Sequence, residues 1–216
     1  MKKTLFQIKN LSFSYGSNAL FNDISFKIQE GDFFLFLGPS GSGKTTLLNI
    51  LTGKIQLNEG QYFSMVPHDY SISILQNLSG MDYLTVDDFL SINFNDYFYD
   101  SKKNFNDEKD NFLNYLDLFQ CKKKTVSHLS SGERQKLALI DSLLSCPDIF
   151  IADELFTYMD EKNKIITYEV LKYFQQKKNL TIILAEHDHN FLKTTSSRFI
   201  FLQEGKIYKE GKSCFI

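Results

Sequence analysis

The chain has 216 residues, a hydrophobic content of 43% and a formal net charge of −2 at pH 7, so it can bury one substantial core and gives no global basis for binding nucleic acid. No apolar stretch approaches the roughly 18 residues that a membrane-spanning helix requires, and the three cysteines have no paired spacing that would indicate a disulfide framework or a zinc site. The composition therefore predicts a cytoplasmic protein that reaches a membrane only through a partner.

The amino-terminal part of the chain reads as short strands and turns. Residues 4–36 predict strands that are separated by turns at residues 15–18 and 29–32. Residues 33–37 then form an uninterrupted apolar run, which is typical of a strand buried on both faces.

A glycine-rich loop follows this strand and precedes a helical pattern that ends near Gly53. Its glycines let backbone N–H groups converge on anionic oxygens, and a helix amino terminus adds positive charge behind them. Lys44 is predicted to reach the outer phosphates and the Thr45 hydroxyl to ligate magnesium. The loop fits the phosphate-binding motif over nine residues: Gly38, Pro39, Ser40, Gly41, Ser42, Gly43, Lys44, Thr45 and Thr46.

Two further strand candidates, residues 60–64 and 71–75, lead to Gln76. The neutral amide of Gln76 can ligate a metal through its oxygen, and a site at this hinge would couple the ligand to the orientation of the next lobe. His68 is a weaker candidate for the same role.

Residues 85–128 differ in character and predict a helical insertion. Residues 86–90 and 111–119 indicate helices. The Asn/Asp/Lys-rich stretch between these two helices is expected to be exposed.

The segment Leu-Ser-Ser-Gly-Glu at residues 129–133, called the signature segment below, begins another helix. Ser130 or Ser131 can cap this helix, and Glu133 stands where a capping box requires an acid. By itself the segment indicates no more than a well-capped amphipathic helix.

Polar side chains follow two later apolar strands. Residues 148–152 deliver Asp153 and Glu154 at a carboxyl end, the edge where open parallel sheets place ligands. Asp153 suits magnesium, and Glu154, predicted to point to the other side of the strand, can polarise an attacking water. An Asp-Glu pair can also simply cap the following helix, but the phosphate loop in the same chain favours catalysis.

The strand at residues 181–185 ends in the same way, next to His187, whose neutral ring can sense a terminal phosphate and orient water. A helix over residues 161–176 separates these two strands. Such alternation of helix and strand predicts a parallel sheet with crossover helices.

Together these features resemble the ATP-binding-cassette (ABC) transporter family over essentially the whole chain. Residues 38–46 resemble its Walker A loop, Gln76 its Q-loop, Asp153 and Glu154 its Walker B end, and His187 its switch histidine. The resemblance implies further nucleotide contacts: adenine stacking by Tyr15, contacts from the signature segment through Ser130 and Gly132, and a D-loop contact from Asp160.

The resemblance implies an α/β fold with a RecA-like P-loop NTPase core built on a parallel sheet, an antiparallel β subdomain and an inserted α-helical subdomain. It implies one ATPase domain over residues 1–216, with the core in residues 1–84 and 129–216 and the insertion at 85–128. ATP and Mg²⁺ are the implied cofactors, with Lys44, Glu154 and His187 as catalytic residues and Thr45, Gln76 and Asp153 as metal ligands.

In this family two subunits face head to tail, each ATP being held between Walker A of one and the signature of the other. The chain is thus expected to form a homodimer or a heterodimer with a second ABC subunit and to drive transport through a separate transmembrane permease contacted by residues 76–128. It would then lie on the inner face of the cell membrane. The alternative is an ABC ATPase that acts as a mechanical or regulatory switch on a membrane cell-wall complex.

Three single positions and the D-loop at residues 157–160, which is unusual, depart from the family pattern. Ser131 replaces a glycine and would be strained at positive φ. Glu133 replaces the usual glutamine and places an acid near a triphosphate, and Leu155 stands where proline is common. These departures leave open whether the chain pairs with itself or with a more typical sister subunit.

Overall fold

The computed structural model describes residues 2–57, 62–67, 71–74, 78, 80–92, 94, 99–187 and 197–212. Its strands are β1 (Thr4–Tyr15), β2 (Asn18–Gln29), β3 (Phe33–Leu37), β4 (Tyr62–Ser64), β5 (Ile72–Ile74), β6 (Ile149–Asp153), β7 (Thr181–Glu186), β8 (Arg198–Gln203) and β9 (Lys206–Lys212). Its α-helices are α1 (Lys44–Leu51), α2 (Val86–Ser91), α3 (Lys102–Tyr115), α4 (Ser131–Leu144) and α5 (Glu161–Lys178).

The strands form two sheets. The larger has the order β5-β6-β7-β3-β8-β9, in which every neighbouring pair is parallel except β8 and β9. The smaller is an antiparallel sheet with the order β2-β1-β4. Every residue of β3 and β7 is buried, as the apolar runs predict for strands covered on both faces.

Two apolar clusters cover the faces of the larger sheet. Phe34 and Phe36 of β3 pack in a cluster with helix α1 and the antiparallel sheet. The alternate residues of β3, such as Leu35, pack in a second cluster with α4 and α5, and that cluster continues into the insertion through Phe105 and Phe112. Successive side chains of a strand point to opposite faces. Strand β3 therefore contacts the antiparallel sheet and α1 on one face, and α4, α5 and the cluster of the insertion on the other. The predicted α/β fold class is confirmed.

The stretch before residue 111 is not the exposed connection that the sequence predicts. Helix α3 begins at Lys102, and its N-cap Ser101 accepts a hydrogen bond from the Asn104 N–H. Phe105 is completely buried, and the buried ammonium of Lys109 lies 2.6 Å from an Asp87 carboxylate oxygen on α2. A lysine can lie on the buried face of a helix when an acid pairs with it. Because a charged residue takes an apolar position here, the apolar spacing of the sequence does not predict this part of α3.

The strands β8 and β9 extend the sheet beyond the motifs that the sequence identifies. They form a hairpin through Glu204 and Gly205, both at positive φ, as two-residue hairpin turns require. Within the described ranges, no helix combines the length and apolar character that would let it cross a bilayer.

Candidate active site

Strand register brings the predicted site residues to one edge of the larger sheet. Leu37, which precedes the phosphate loop, pairs with Glu186, and Asp153 pairs with Ala185. The loop, the Walker B carboxylates and His187 therefore follow the carboxyl ends of three adjacent parallel strands, where open sheets bind ligands. Gln76, with the weaker candidate His68, lies outside the described residues.

Two glycines of the phosphate loop stand where no side chain fits. Gly38 has φ +149°, and a Cβ there would lie 2.3 Å from the Leu202 carbonyl oxygen. Gly43, the residue before α1, has φ +98°, and a Cβ there would lie 2.4 Å from the Phe21 ring. Both substitutions would be strained by backbone and by contact, so the loop is fixed against β8 and β2.

Lys44 lies inside the curve of its own loop. Its buried ammonium donates hydrogen bonds to the carbonyl oxygens of Gly38 at 2.8 Å and Pro39 at 2.9 Å. Burial lowers the pKa of Lys44, and the carboxylates of Asp153, Glu154 and Glu186 oppose that shift. The charge is thus surrounded by loop backbone on one side and acids on the other, which suits a group that binds phosphate.

Thr45 and Asp153 meet at the position predicted for a metal. The Thr45 hydroxyl donates to Asp153 Oδ2 at 2.6 Å. The other carboxylate oxygen, Asp153 Oδ1, is buried and has no hydrogen-bond partner within the described ranges, and the same is true of Ser42 Oγ in the loop. A buried carboxylate oxygen without a partner is costly, and hard oxygen ligands are those that Mg²⁺ prefers. The residues present therefore fit a magnesium ion.

Tyr15 lies beside the phosphate loop, where the resemblance places an adenine. Its hydroxyl is 3.4 Å from the Thr46 hydroxyl, and its ring packs edge-on against Phe13 with centroids 5.0 Å apart. The side chain is 54% exposed, so one face of an oriented ring remains accessible. Aromatic faces of this kind stack on nucleobases.

Glu154 is the first residue after its strand, so strand alternation does not fix its direction, and its predicted orientation opposite to Asp153 stays a prediction. Strand β6 ends at Asp153, and Glu154 has φ +51°. Such a left-handed backbone in a residue other than glycine costs about 1–2 kcal/mol and persists only when neighbours hold it. The Glu154 N–H donates to the Ala185 carbonyl at 2.9 Å. The side chain is exposed, and its charge acts on Lys44.

Glu186 is a site residue that the sequence analysis did not single out. It is 2% exposed, its Oε1 accepts a hydrogen bond from the Phe156 N–H at 3.2 Å, and the exposed His187 follows it directly. Burial raises the pKa of Glu186 to about 8, with the charges of Glu154 and Asp153 adding to the shift. The available signal was an acid that closes an otherwise apolar strand.

Replacing Glu186 by glutamine is expected to change how stability depends on pH. The folded state keeps a proton on Glu186 between its ordinary pKa of 4.5 and about 8, whereas the unfolded state does not. Stability of the wild type should therefore fall as pH rises through that window, by up to about 1.4 kcal/mol per pH unit relative to Glu186→Gln. Urea unfolding across the window measures this.

The exposed Glu210 on β9 offers the control, because Glu210→Gln removes a carboxylate that water already solvates. Its unfolding free energy should follow that of the wild type. Parallel pH profiles for Glu186→Gln and the wild type would show that Glu186 is ionised in the folded protein.

The signature segment begins α4 with the predicted capping box. Ser130 Oγ accepts from the Glu133 N–H, and Glu133 Oε2 accepts from the Ser130 N–H at 2.7 Å. Glu133 Oε1 also accepts from the Cys121 thiol at 3.2 Å. The hydrogen bond from Ser130 lowers the pKa of Glu133. The acid that replaces the family's glutamine is therefore bound within its own subunit.

The structure also shows the surroundings of the remaining signature residues and of the other unusual positions. Ser131 is the first residue of α4 and is not at positive φ, so the expected strain is absent. Gly132 lies against the D-loop, where a Cβ would be 2.9 Å from the Tyr158 carbonyl oxygen. Leu155 is completely buried in the larger apolar cluster. Asp160 caps α5 by accepting from the Asn163 N–H, and nucleotide contacts by Ser130, Gly132 and Asp160 stay predictions.

Comparisons with known proteins show what the chain as a whole is similar to. The chain is 31% identical to the spermidine/putrescine import ATP-binding protein PotA of Spiroplasma citri, over 98% of the chain and 62% of the relative. It is 29% identical to the phosphonates import ATP-binding protein PhnC of Fusobacterium nucleatum, over 98% of the chain and 94% of the relative. It spans 57% of the Fe(3+) ions import ATP-binding protein FbpC of the same species, at 28% identity over 95% of the chain, so it covers less than two thirds of the length of several relatives.

Solved structures support the fold. The ATP-binding subunit of an ABC transporter superposes with a TM-score of 0.80 at 20% identity, covering 97% of the chain and 90% of the other. A dimeric bacterial ABC transporter cassette superposes with a TM-score of 0.77 at 22% identity, covering 98% and 100%. The family described as ABC transporter matches residues 21–157. The chain belongs to the ABC transporter family, as an ATP-binding cassette.

Proposed function

We propose that the chain binds and hydrolyses Mg-ATP as the ATP-binding subunit of an import system and drives a separate transmembrane permease. The observation that best supports this is the set of groups at one sheet edge: the ammonium of Lys44 inside the phosphate loop, the Thr45–Asp153 pair and the exposed carboxylate of Glu154. Hydrolysis of a phosphoanhydride requires a group that binds the phosphates, ligands for a metal ion and a base for the attacking water, and these groups can supply all three.

Each group has a distinct task in this proposal. Lys44 exchanges the loop carbonyls for the outer phosphate oxygens, and Tyr15 stacks on the adenine. A magnesium ion held by Thr45 and Asp153, with Gln76 as a further ligand, would neutralise charge on the phosphate oxygens. Glu154 takes a proton from the attacking water, and His187 orients that water.

The proposed assembly contains two subunits. Ser130, Gly132 and Asp160 would contact the nucleotide held by the opposite subunit, in a homodimer or a heterodimer. Glu133 stays charged in this arrangement, because the hydrogen bond from the Ser130 N–H lowers its pKa. The carboxylate is directed to Ser130 and Cys121 of its own subunit, and the choice between a homodimer and a heterodimer stays open.

The proposed permease contact uses residues 76–128, which include the insertion at 85–128 within a core formed by 1–84 and 129–216. The protein would lie on the inner face of the membrane through that partner. The named relatives serve import of polyamines, iron(III) and phosphonates. These names support import in general, but their substrates differ too much to choose one for this chain. None of the names supports the alternative of a switch on a membrane cell-wall complex.

Calorimetry of the purified chain with Mg-ATP tests the proposal. We expect a heat of association and, on incubation, release of phosphate. Titration with ATP in the presence of a chelator should give weaker binding, because the metal position would then be unfilled. Folded protein that gives no heat with Mg-ATP would refute the proposed function.

A further inference from the structure

Gln135 on α4 contacts the main chain of the residue proposed as the base. Its side-chain nitrogen Nε2 donates a hydrogen bond to the Glu154 carbonyl oxygen at 2.9 Å. The same carbonyl also accepts from the Thr157 N–H at 3.2 Å. Gln135 follows the signature segment on its helix, so one helix carries both the signature and this contact.

The main chain of Glu154 needs such support. Its φ of +51° lies in the left-handed region, which a glutamate leaves unless hydrogen bonds on both sides hold it. The Ala185 carbonyl fixes the N–H side. Gln135 is the side chain that fixes the carbonyl side, so the Cα of Glu154, from which the carboxylate extends, is held on both sides.

The other end of the Gln135 amide argues against a purely structural role. Its oxygen Oε1 is buried and has no hydrogen-bond partner within the part of the chain that the structure describes. An unpartnered buried acceptor costs more than one ordinary hydrogen bond contributes. Among the described residues, buried oxygens in the same condition lie on Ser42 and Asp153 at the proposed nucleotide site and on Asp87, which faces Lys109 in the insertion. Such atoms in native proteins call for a functional explanation.

The residues on either side of Gln135 contact the insertion and the chain that leads into it. Arg134 forms a 3.0 Å ion pair with Asp82, just before the insertion begins. The buried ammonium of Lys136 donates to the Leu116 carbonyl at 3.0 Å, at the end of α3. Three consecutive helical residues point in directions about 100° apart. One turn of α4 therefore contacts the chain just before the insertion, the end of α3 within the insertion, and Glu154 between these two contacts.

We propose that Gln135 is a positioning residue for hydrolysis: its amide holds the Glu154 carbonyl, so that the orientation of α4 and of the attached insertion sets the position of the hydrolytic carboxylate within one subunit. This inference rests on the proposed function, because it assigns a task to Gln135 only if Glu154 acts on ATP. It adds a coupling between the insertion and Glu154 that lies within one subunit and does not cross the proposed dimer interface.

The variant Gln135→Leu tests the contact, since leucine has a similar volume and cannot donate. Turnover should fall at least about tenfold, because a small displacement of a catalytic group is costly. The Michaelis constant and the affinity for Mg-ATP should stay unchanged. The unfolding free energy should not decrease, since the variant removes the unpartnered Oε1 together with one hydrogen bond.

Two further variants make the test specific. Gln135→Glu keeps the shape but replaces the donor by a carboxylate, and it should lose at least as much turnover as Gln135→Leu. Gln175→Leu is the matched control. Gln175 lies on α5, and its Nε2 donates to the Gly31 carbonyl at 2.7 Å. That variant loses the same kind of hydrogen bond and should keep the wild-type turnover.

A double-mutant cycle separates positioning from direct contact with the nucleotide. In the Glu154→Gln background, Gln135→Leu should leave the residual turnover unchanged. Multiplicative losses, a weakened affinity with normal turnover, or wild-type turnover in Gln135→Leu would each overturn the inference. A wild-type protein that hydrolyses no ATP would instead refute the proposed function, so the two failures are distinguishable.

Discussion

Replacing Glu154 by glutamine is expected to lower ATP turnover by about 10²- to 10⁴-fold, the usual contribution of a positioned general base. Glutamine has the same shape but cannot take a proton from water. The hydrogen bonds of Glu154 with Ala185 and Gln135 involve its main chain, which the substitution leaves unchanged. Folding and Mg-ATP affinity should therefore match the wild type, and phosphate release measures the loss.

The same variant should accumulate an ATP-bound dimer, because the proposed assembly dissociates only after hydrolysis. Size-exclusion chromatography with and without Mg-ATP measures this. Glu161→Gln is a suitable control: Glu161 is an exposed carboxylate in the first turn of α5 and pairs with Lys164. Turnover at the wild-type rate in Glu154→Gln would remove Glu154 from the role of base.

Replacing Lys44 by alanine is expected to weaken Mg-ATP binding at least about a hundredfold, since hydrogen bonds to charged groups contribute about 1.5–3 kcal/mol each and 1.4 kcal/mol is a factor of ten. The lysine supplies a full positive charge at the centre of the phosphate loop. Its pKa is lowered by burial, so the folded loop already bears part of the cost of holding this charge. Calorimetric titration measures the affinity.

Lys172→Ala is the matched control for Lys44→Ala. Lys172 lies on α5 with its ammonium 5.2 Å from the centre of the Phe33 ring, at the end of β3 away from the phosphate loop. Its removal takes away a half-buried lysine without touching the site. Equal Mg-ATP affinity in Lys44→Ala and the wild type would mean that the loop binds phosphate without its lysine.

Local sequence was sufficient for the elements whose patterns are local. The phosphate loop follows from glycine spacing between a strand and a helix, and the capping box of Ser130 and Glu133 follows from residue types three positions apart. The strands that deliver Asp153 and His187 follow from apolar runs ending in polar residues. Parallel register then places their ends side by side without further information.

What the sequence could not supply depends on contacts between distant residues. Helix α3 begins early because Asp87, on another helix, neutralises the buried Lys109. The left-handed backbone of Glu154 is held by Ala185 and by Gln135, 19 residues away in the chain. The raised pKa of Glu186 arises from burial that only the folded sheet creates. None of these three features produces a periodic pattern in the sequence from which it could be predicted.

The apolar cluster that runs from the sheet face into the insertion joins the two parts by packing. Phe112 of α3 stacks on Phe174 of α5 with ring centroids 5.0 Å apart, and the Tyr99 hydroxyl donates to the Leu144 carbonyl at the end of α4. Separating these surfaces would expose apolar area at about 25 cal/mol per Å². If the proposed permease contact uses the insertion, these contacts join the insertion firmly to α5 and to the end of α4, so we expect it to move together with the core.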